Sequence, residues 1–362
     1  MAELVDVRDD EGNFAKYKKY DGRYYVKHFV GNVKDHLAAI DSMDVRDDDT
    51  FILTYPKSGT HWGFTLASML RTGETVYRGS PTFLDYTDKE TLDNLPSPRV
   101  FASHMTFDFM PKQVKEGKGK VIAIFRNPKD VLTSIHTFAK KLDGLKEDYK
   151  MTWKGLLNFH MEGTIFYGSW FDYIHSWDKV KIEHTENNIM YLMYEDMIQD
   201  LSSHVHELAL FLGDTYGSDF VDKVTARCTF SNMAEEATRT FTPSEQWKTV
   251  TTTKTLPIYR KDHKTLEYIF SSTFAGYSNA MINRWILMLQ RCRFTEKYTP
   301  ESQNNADSLS RLINDQGKGD NSFCLTDNFK SEDDEFVKFV PRNFTPRPMT
   351  PIKIEEASAL EE

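Results

Sequence analysis

The stretch from Thr54 to Trp62, TYPKSGTHW, gathers the residue types that hold a phosphate. The apolar run Phe51 to Tyr55 reads as a strand, and Ser58 to Arg71 reads as a helix whose apolar face includes Trp62, Leu66, Met69 and Leu70. Between them lie Lys57, Ser58, Gly59 and Thr60. A glycine there lets the backbone turn closely around an anion, the first helical N–H groups point at it, and Lys57 adds a mobile positive charge. The plain alternative is an ordinary strand-to-helix turn with a surface lysine. Because the lysine precedes the glycine, the stretch is not the GxxxxGK[ST] motif, and nucleotide hydrolysis does not follow from it.

A second handover from strand to helix carries Arg126 to Ser134, RNPKDVLTS. Arg126 offers a planar fork for phosphate, and Ser134 lies about two helical turns further on. Lys129 and Asp130 read as a solvated helix start. His104 follows a third strand, Arg99 to Ser103; a neutral imidazole at a strand's carboxyl end is suited to taking a proton near pH 7. His36, His136, His160 and His184 read as ordinary surface or core histidines.

The elements that must position these groups alternate short apolar runs with amphipathic helices. Val121 to Phe125 is a buried central strand followed by a helix near Pro128, and Ile189 to Tyr194 is a further strand followed by a helix over Ser202 to Leu212. This pattern predicts an α/β fold, a single domain with a central mostly parallel sheet flanked by helices and a P-loop-like phosphate-binding turn. Open sheets of this kind take ligands beyond the carboxyl ends of their strands, where Lys57, His104 and Arg126 stand.

The 362 residues carry a formal charge of −9, which argues against a general nucleic-acid binder. The three cysteines, Cys228, Cys292 and Cys324, stand far apart and in no CxxC pair, which suits a reducing compartment without structural zinc. The first ten residues lack the basic and apolar regions of a signal peptide, and no apolar run approaches the roughly 20 residues of a membrane span. The expectation is a cytoplasmic protein with no membrane partner. Residues 297–362 hold five prolines and 13 acidic against 8 basic residues. That composition predicts a domain over 1–296 and an acidic, largely disordered tail over 297–362.

TYPKSGTHW at Thr54, FRNPKDVLTS at Phe125, and the pair YGSWF at Tyr167 and YLMYEDM at Tyr191 together resemble the cytosolic sulfotransferases. Members of this family use 3′-phosphoadenosine 5′-phosphosulfate (PAPS) as sulfonate donor. The resemblance is strongest over residues 50–233. It implies that Lys57, Ser58, Gly59, Thr60 and His61 hold the donor's phosphosulfate, with Lys57 also stabilising the leaving phosphate. It implies further that Arg126 and Ser134 hold the 3′-phosphate, that Trp62, Tyr194 and Phe230 surround the adenine, and that His104 is the general base. The acceptor it implies is a small lipophilic phenol, alcohol, steroid or amine. Phe83, Tyr86, Phe107, Phe109, Phe138, Tyr167 and Trp170 lie near its expected side, where most aromatics are core and a subset is expected to line an apolar pocket. No metal cofactor is expected, and no metal-ligand motif is seen in the sequence.

The chain departs from the family's pattern in places. His61 stands where a Thr or Ser is usual, Ala102 where better-known members carry a lysine, and Cys228 where a threonine often contacts adenine. Near the C-terminus Arg260 and Lys261 retain a basic pair expected to bind the donor, but Asp262 replaces a glycine and the following Gly-Asp-Trp-Lys segment is absent. The usual dimer motif is not recognisable, which leaves a homodimer as an open partner. The alternative function is a non-catalytic nucleotide-binding or interaction protein on the same fold.

Overall fold

The computed structural model describes residues 3–140, 148–184, 188–213 and 216–240. Its first three strands, β1 (Glu3–Arg8), β2 (Phe14–Tyr20) and β3 (Arg23–Val26), pair antiparallel in that order, with Tyr17 opposite both Val5 and Val26. The sequence reading assigned nothing here. Next come α1 (Val33–Asp41), capped by the Asn32 side chain, then β4 (Thr50–Thr54) and α2 (Thr60–Thr72). A short α3 (Lys89–Asp93) precedes β5 (Val100–Ser103), and α4 (Lys112–Lys115) precedes β6 (Lys120–Phe125) and α5 (Pro128–Lys140). The two-residue β7 (Tyr149–Lys150) returns to pair with β2, followed by α6 (Trp153–Met161) and α7 (Trp170–Glu183). The last strand, β8 (Ile189–Met193), leads into α8 (Tyr194–Gln199), α9 (Leu201–Leu212), α10 (Ser218–Arg227) and α11 (Phe230–Thr240).

The strands expected from apolar runs form one sheet in the order β5-β4-β6-β8, and every pair in it is parallel. Buried on both faces, β4, β5 and β6 show the near-continuous apolar character of a covered parallel sheet. Ile52, Ile122, Ile124 and Leu192 pack against Leu66, Met69 and Leu70 of α2, Val205 and Leu208 of α9, and Val224 of α10. Each such side chain contributes about 1.5–3 kcal/mol on burial. Gly63 allows α2 to lie this close, since a Cβ there would come 2.4 Å from Ile124 Cδ1.

One boundary differs from the sequence expectation by two residues, for a physical reason. Helix α2 begins at Thr60 rather than Ser58, because Lys57 (φ 67°) and Gly59 (φ 104°) take left-handed backbone conformations that a right-handed helix cannot contain. Strand β8 stops at Met193, and Tyr194 opens α8. The boundary expected at 296 lies outside the described residues. Among those that are described, no helix is long and apolar enough to cross a membrane.

The amino ends of the strands are fastened by a buried ion pair. Arg99 donates from Nε to Asp49 Oδ1 at 2.8 Å, and the two side chains are 1% and 0% exposed. The main chain of Asp49 accepts from Lys120 N–H, and Thr50 N–H donates to Arg99, so the pair ties β4, β5 and β6 together. Asp49→Ala leaves the guanidinium buried without its partner and should lower unfolding free energy by about 3–5 kcal/mol, read from urea denaturation.

Candidate active site

The turn after β4 is built to leave donors unused by the helix. The Gly59 carbonyl accepts the first intrahelical bond, from Gly63 N–H at 2.9 Å, and no side chain caps the start of α2. The N–H groups of the first turn therefore have no intrahelical partner and point out of the helix start. Ser58 Oγ is buried without a hydrogen-bond partner, beside that same turn. Thr60 Oγ1 lies 2.6 Å from Thr54 Oγ1, which anchors the turn to the strand. A buried hydroxyl awaiting a partner and a crown of N–H groups match a phosphate-type ligand.

Arg126, at the end of β6, reaches back to this turn. Its Nη1 donates to the Lys57 carbonyl at 3.0 Å, and its guanidinium lies 4.2 Å from the centre of the Tyr194 ring. Around it, Asn127 starts α5 by accepting from Lys129 N–H, while Asn127's own N–H donates to Glu195 and Trp170 Nε1 donates to the Arg126 carbonyl. Ser134 is half-buried, two turns along α5. The Lys57 ammonium sits 4.2 Å above the Phe138 ring of the same helix.

Tyr194 closes the turn from the β8 side. A Cβ on Gly59 would come 2.8 Å from Tyr194 Cδ2, so the residue must be glycine both for its backbone angles and for the ring against it. Trp62 meets Tyr194 edge to face at 5.3 Å and donates from Nε1 to the Cys228 carbonyl at 2.8 Å. Phe230, which opens α11, stands two residues beyond that carbonyl. Cys228 turns its sulfur inward to Met69, and burial raises its thiol pKa to about 12, so it packs as core.

His104 follows β5, next to β4. Its Nδ1 is 3.0 Å from the Thr54 carbonyl, which can only accept, so Nδ1 carries the proton and Nε2 keeps its lone pair. Burial lowers the imidazole pKa, with the Lys57 charge acting in the same direction; Asp85 and the bond to Thr54 oppose both. Phe83 lies 5.1 Å from the ring and Tyr167 5.4 Å. His61 sits 6.4 Å from Phe83; burial foremost, then Lys57 and His104, push its pKa down to about 3, so it is a neutral hydrogen-bonding group.

Lys57, Ser58, Gly59, Thr60, His61, Trp62, Arg126, Tyr194 and His104 thus stand at the carboxyl ends of four adjacent strands, while Arg260 and Lys261 lie outside the described residues. Of the aromatics expected on the acceptor side, Phe83, Tyr86 and Tyr167 gather near His104. Phe107 packs instead on Trp177 and His184, and Trp170 is buried. Sequence reasoning missed Asp85, whose carboxylate lies against His104; only the pairing of its segment with β5 reveals it. No cluster of three or more His, Cys, Asp or Glu side chains suited to a metal ion occurs among the described residues.

A family model described as the sulfotransferase domain matches residues 47–263. The chain is similar to the amine sulfotransferase of Oryctolagus cuniculus, with 35% identity over 205 residues, 54% of this chain and 66% of that protein. It is similar to sulfotransferase 2A1 of Homo sapiens, with 32% identity over 203 residues, 54% of this chain and 70% of that protein. The match thus spans about two thirds of each curated relative's length. Among solved structures, mouse sulfotransferase SULT7A1 complexed with PAP aligns with a TM-score of 0.57 at 25% identity, covering 75% of this chain and 93% of that one.

The left-handed backbone of Gly59 and its contact with Tyr194 make this position intolerant. Gly59→Ala should cost more than about 1 kcal/mol of stability, read as a lowered Tm.

Proposed function

Because the chain belongs to the sulfotransferase domain family, we propose that it is a PAPS-dependent sulfotransferase that passes a sulfonate group to the hydroxyl or amine of a small lipophilic molecule. The observation that carries this reading is the placement of a phosphate-type turn and an imidazole with a free Nε2 lone pair at the carboxyl ends of neighbouring strands, β4 and β5. When bound, PAPS supplies the activated sulfonate.

The chain's own residues divide the remaining work. The turn from Lys57 to His61 holds an anion through main-chain N–H groups and the Ser58 hydroxyl, and the Lys57 ammonium stabilises negative charge there. Arg126 and Ser134 serve the second phosphate of the donor, joined by Arg260 and Lys261. Trp62, Tyr194 and Phe230 provide stacking area for a base. His104, neutral and fixed through Nδ1, accepts the acceptor's proton at Nε2. Phe83, Tyr86 and Tyr167 favour an apolar or aromatic acceptor, and the amine named for the rabbit relative is one chemical class to include in a screen.

Transfer of labelled sulfonate from PAPS to a panel of phenols, alcohols, steroids and amines tests this reading. Binding of adenosine 3′,5′-bisphosphate without transfer to any of them would favour a non-catalytic nucleotide binder instead. His104→Ala should reduce transfer by about 10²–10⁴-fold while leaving the calorimetric affinity for adenosine 3′,5′-bisphosphate nearly unchanged. Arg126→Ala should weaken that affinity by about 1.5–3 kcal/mol, roughly ten- to a hundredfold. The base works only when neutral and its pKa is lowered from 6.5, so the rate should hold through pH 7 and fall only on the acid side of 6.5.

A further inference from the structure

The segment ahead of β5 carries a buried acid that the transfer chemistry leaves unused. Phe83 bridges Ala102 in parallel, with Leu84 N–H donating to Ala102 O and Ala102 N–H donating to Thr82 O, both at 2.9 Å. In parallel pairing both strands advance together, so two residues on, Asp85 comes level with His104. The Asp85 side chain belongs to a residue that is 0% exposed, and its two oxygens lie 3.3 and 3.4 Å from the His104 main-chain nitrogen. Its own turn is held in place, since Val30 N–H donates to Asp85 O at 3.1 Å and His36 Nε2 donates to Leu84 O at 2.7 Å. The Tyr167 hydroxyl donates to Tyr86 Oη at 3.1 Å, while the Tyr167 ring stands edge-on to the imidazole.

We propose that Asp85 is a positioning residue for the base: through the His104 main-chain N–H it fixes the residue at the end of β5, and it offsets the positive charge that the ring gains with the acceptor's proton. The proposal rests on the reading of His104 as the base. Burying a carboxylate is costly unless it is paired, and a neighbour that becomes a cation in each turnover supplies such a partner. The groups facing Asp85 are Tyr25 from β3, His36 from α1, Tyr86 from its own turn, Tyr167, Tyr173 from α7, and His104. Lys57 also acts on His104, and His104 in turn acts on His61. Asp85 raises the imidazole pKa and Lys57 lowers it, so removing the carboxylate's charge moves the pKa further down.

Asp85→Asn keeps the size of the side chain and an oxygen facing the His104 N–H. It should reduce kcat by about tenfold or more and move the acid limb of the pH–rate profile to lower pH, with affinity for adenosine 3′,5′-bisphosphate unchanged. An unmoved limb overturns the proposal, and if Tm falls at the same time, Asp85 is structural only. His104→Ala assayed beside it separates the two readings: an inactive His104→Ala with an unmoved Asp85→Asn limb defeats only the role of Asp85, whereas an active His104→Ala defeats the base itself. Should Asp85→Asn fail to fold, Asp85→Ser removes the same charge with a smaller side chain. That variant should also move the limb to lower pH, and an unmoved or raised limb would overturn the proposal.

Discussion

In a parallel sheet the carboxyl ends of all the strands open on the same side, and here both neighbours of β4 are held to it in fixed register. Leu53 pairs with Ser103 on one side and with Ala123 on the other. The chain leaves β4, fills the position on one flank with β5, then crosses to the other flank with β6. The crevice made by that reversal is where a sheet of this kind offers space for a ligand. Into it run the turn at Lys57, the imidazole of His104 and the guanidinium of Arg126, each one to three residues past a strand end. Had any strand slipped in register, these groups would no longer meet, and the ion pair of Arg99 with Asp49 guards against such a slip at the far end.

The same geometry would let an acidic chain accommodate an anion. The net charge of −9 is spread over 362 residues, whereas Lys57, Arg126 and the main-chain N–H groups at the start of α2 converge on one crevice. At distances of a few ångströms inside a partly dry site, nearby charges outweigh distant ones that water and salt screen. The two imidazoles in this crevice are neutral for related reasons: burial acts on both, and Lys57 presses on both.

Much of this arrangement was legible in the residues. Unbroken apolar runs marked the strands of the parallel sheet, and Gly59, Lys57 and Arg126 marked the turns that follow two of them. The antiparallel sheet of β1, β2, β3 and β7 was not, because β2 reads FAKYKKY, with lysines diluting its alternation, and because pairing between Ala15 and Tyr149 spans distant parts of the chain. Phe107 and Trp170 were expected near the acceptor and pack elsewhere, since an aromatic side chain has the same signature in a core as in a pocket. Asp85 carries no local signal; its place beside His104 follows only from the bridge between Phe83 and Ala102.

The left-handed backbone at Lys57 sets two demands against each other. A lysine with φ of 67° carries steric strain of roughly 1–2 kcal/mol that glycine would relieve, while glycine would remove the ammonium from the turn. Position 57 is therefore a place where selection for a more stable protein and selection for a working one pull in opposite directions. Arg126, donating to the Lys57 carbonyl, helps to keep the strained conformation in being. One hydrogen bond thus couples two positions that 69 residues of sequence separate.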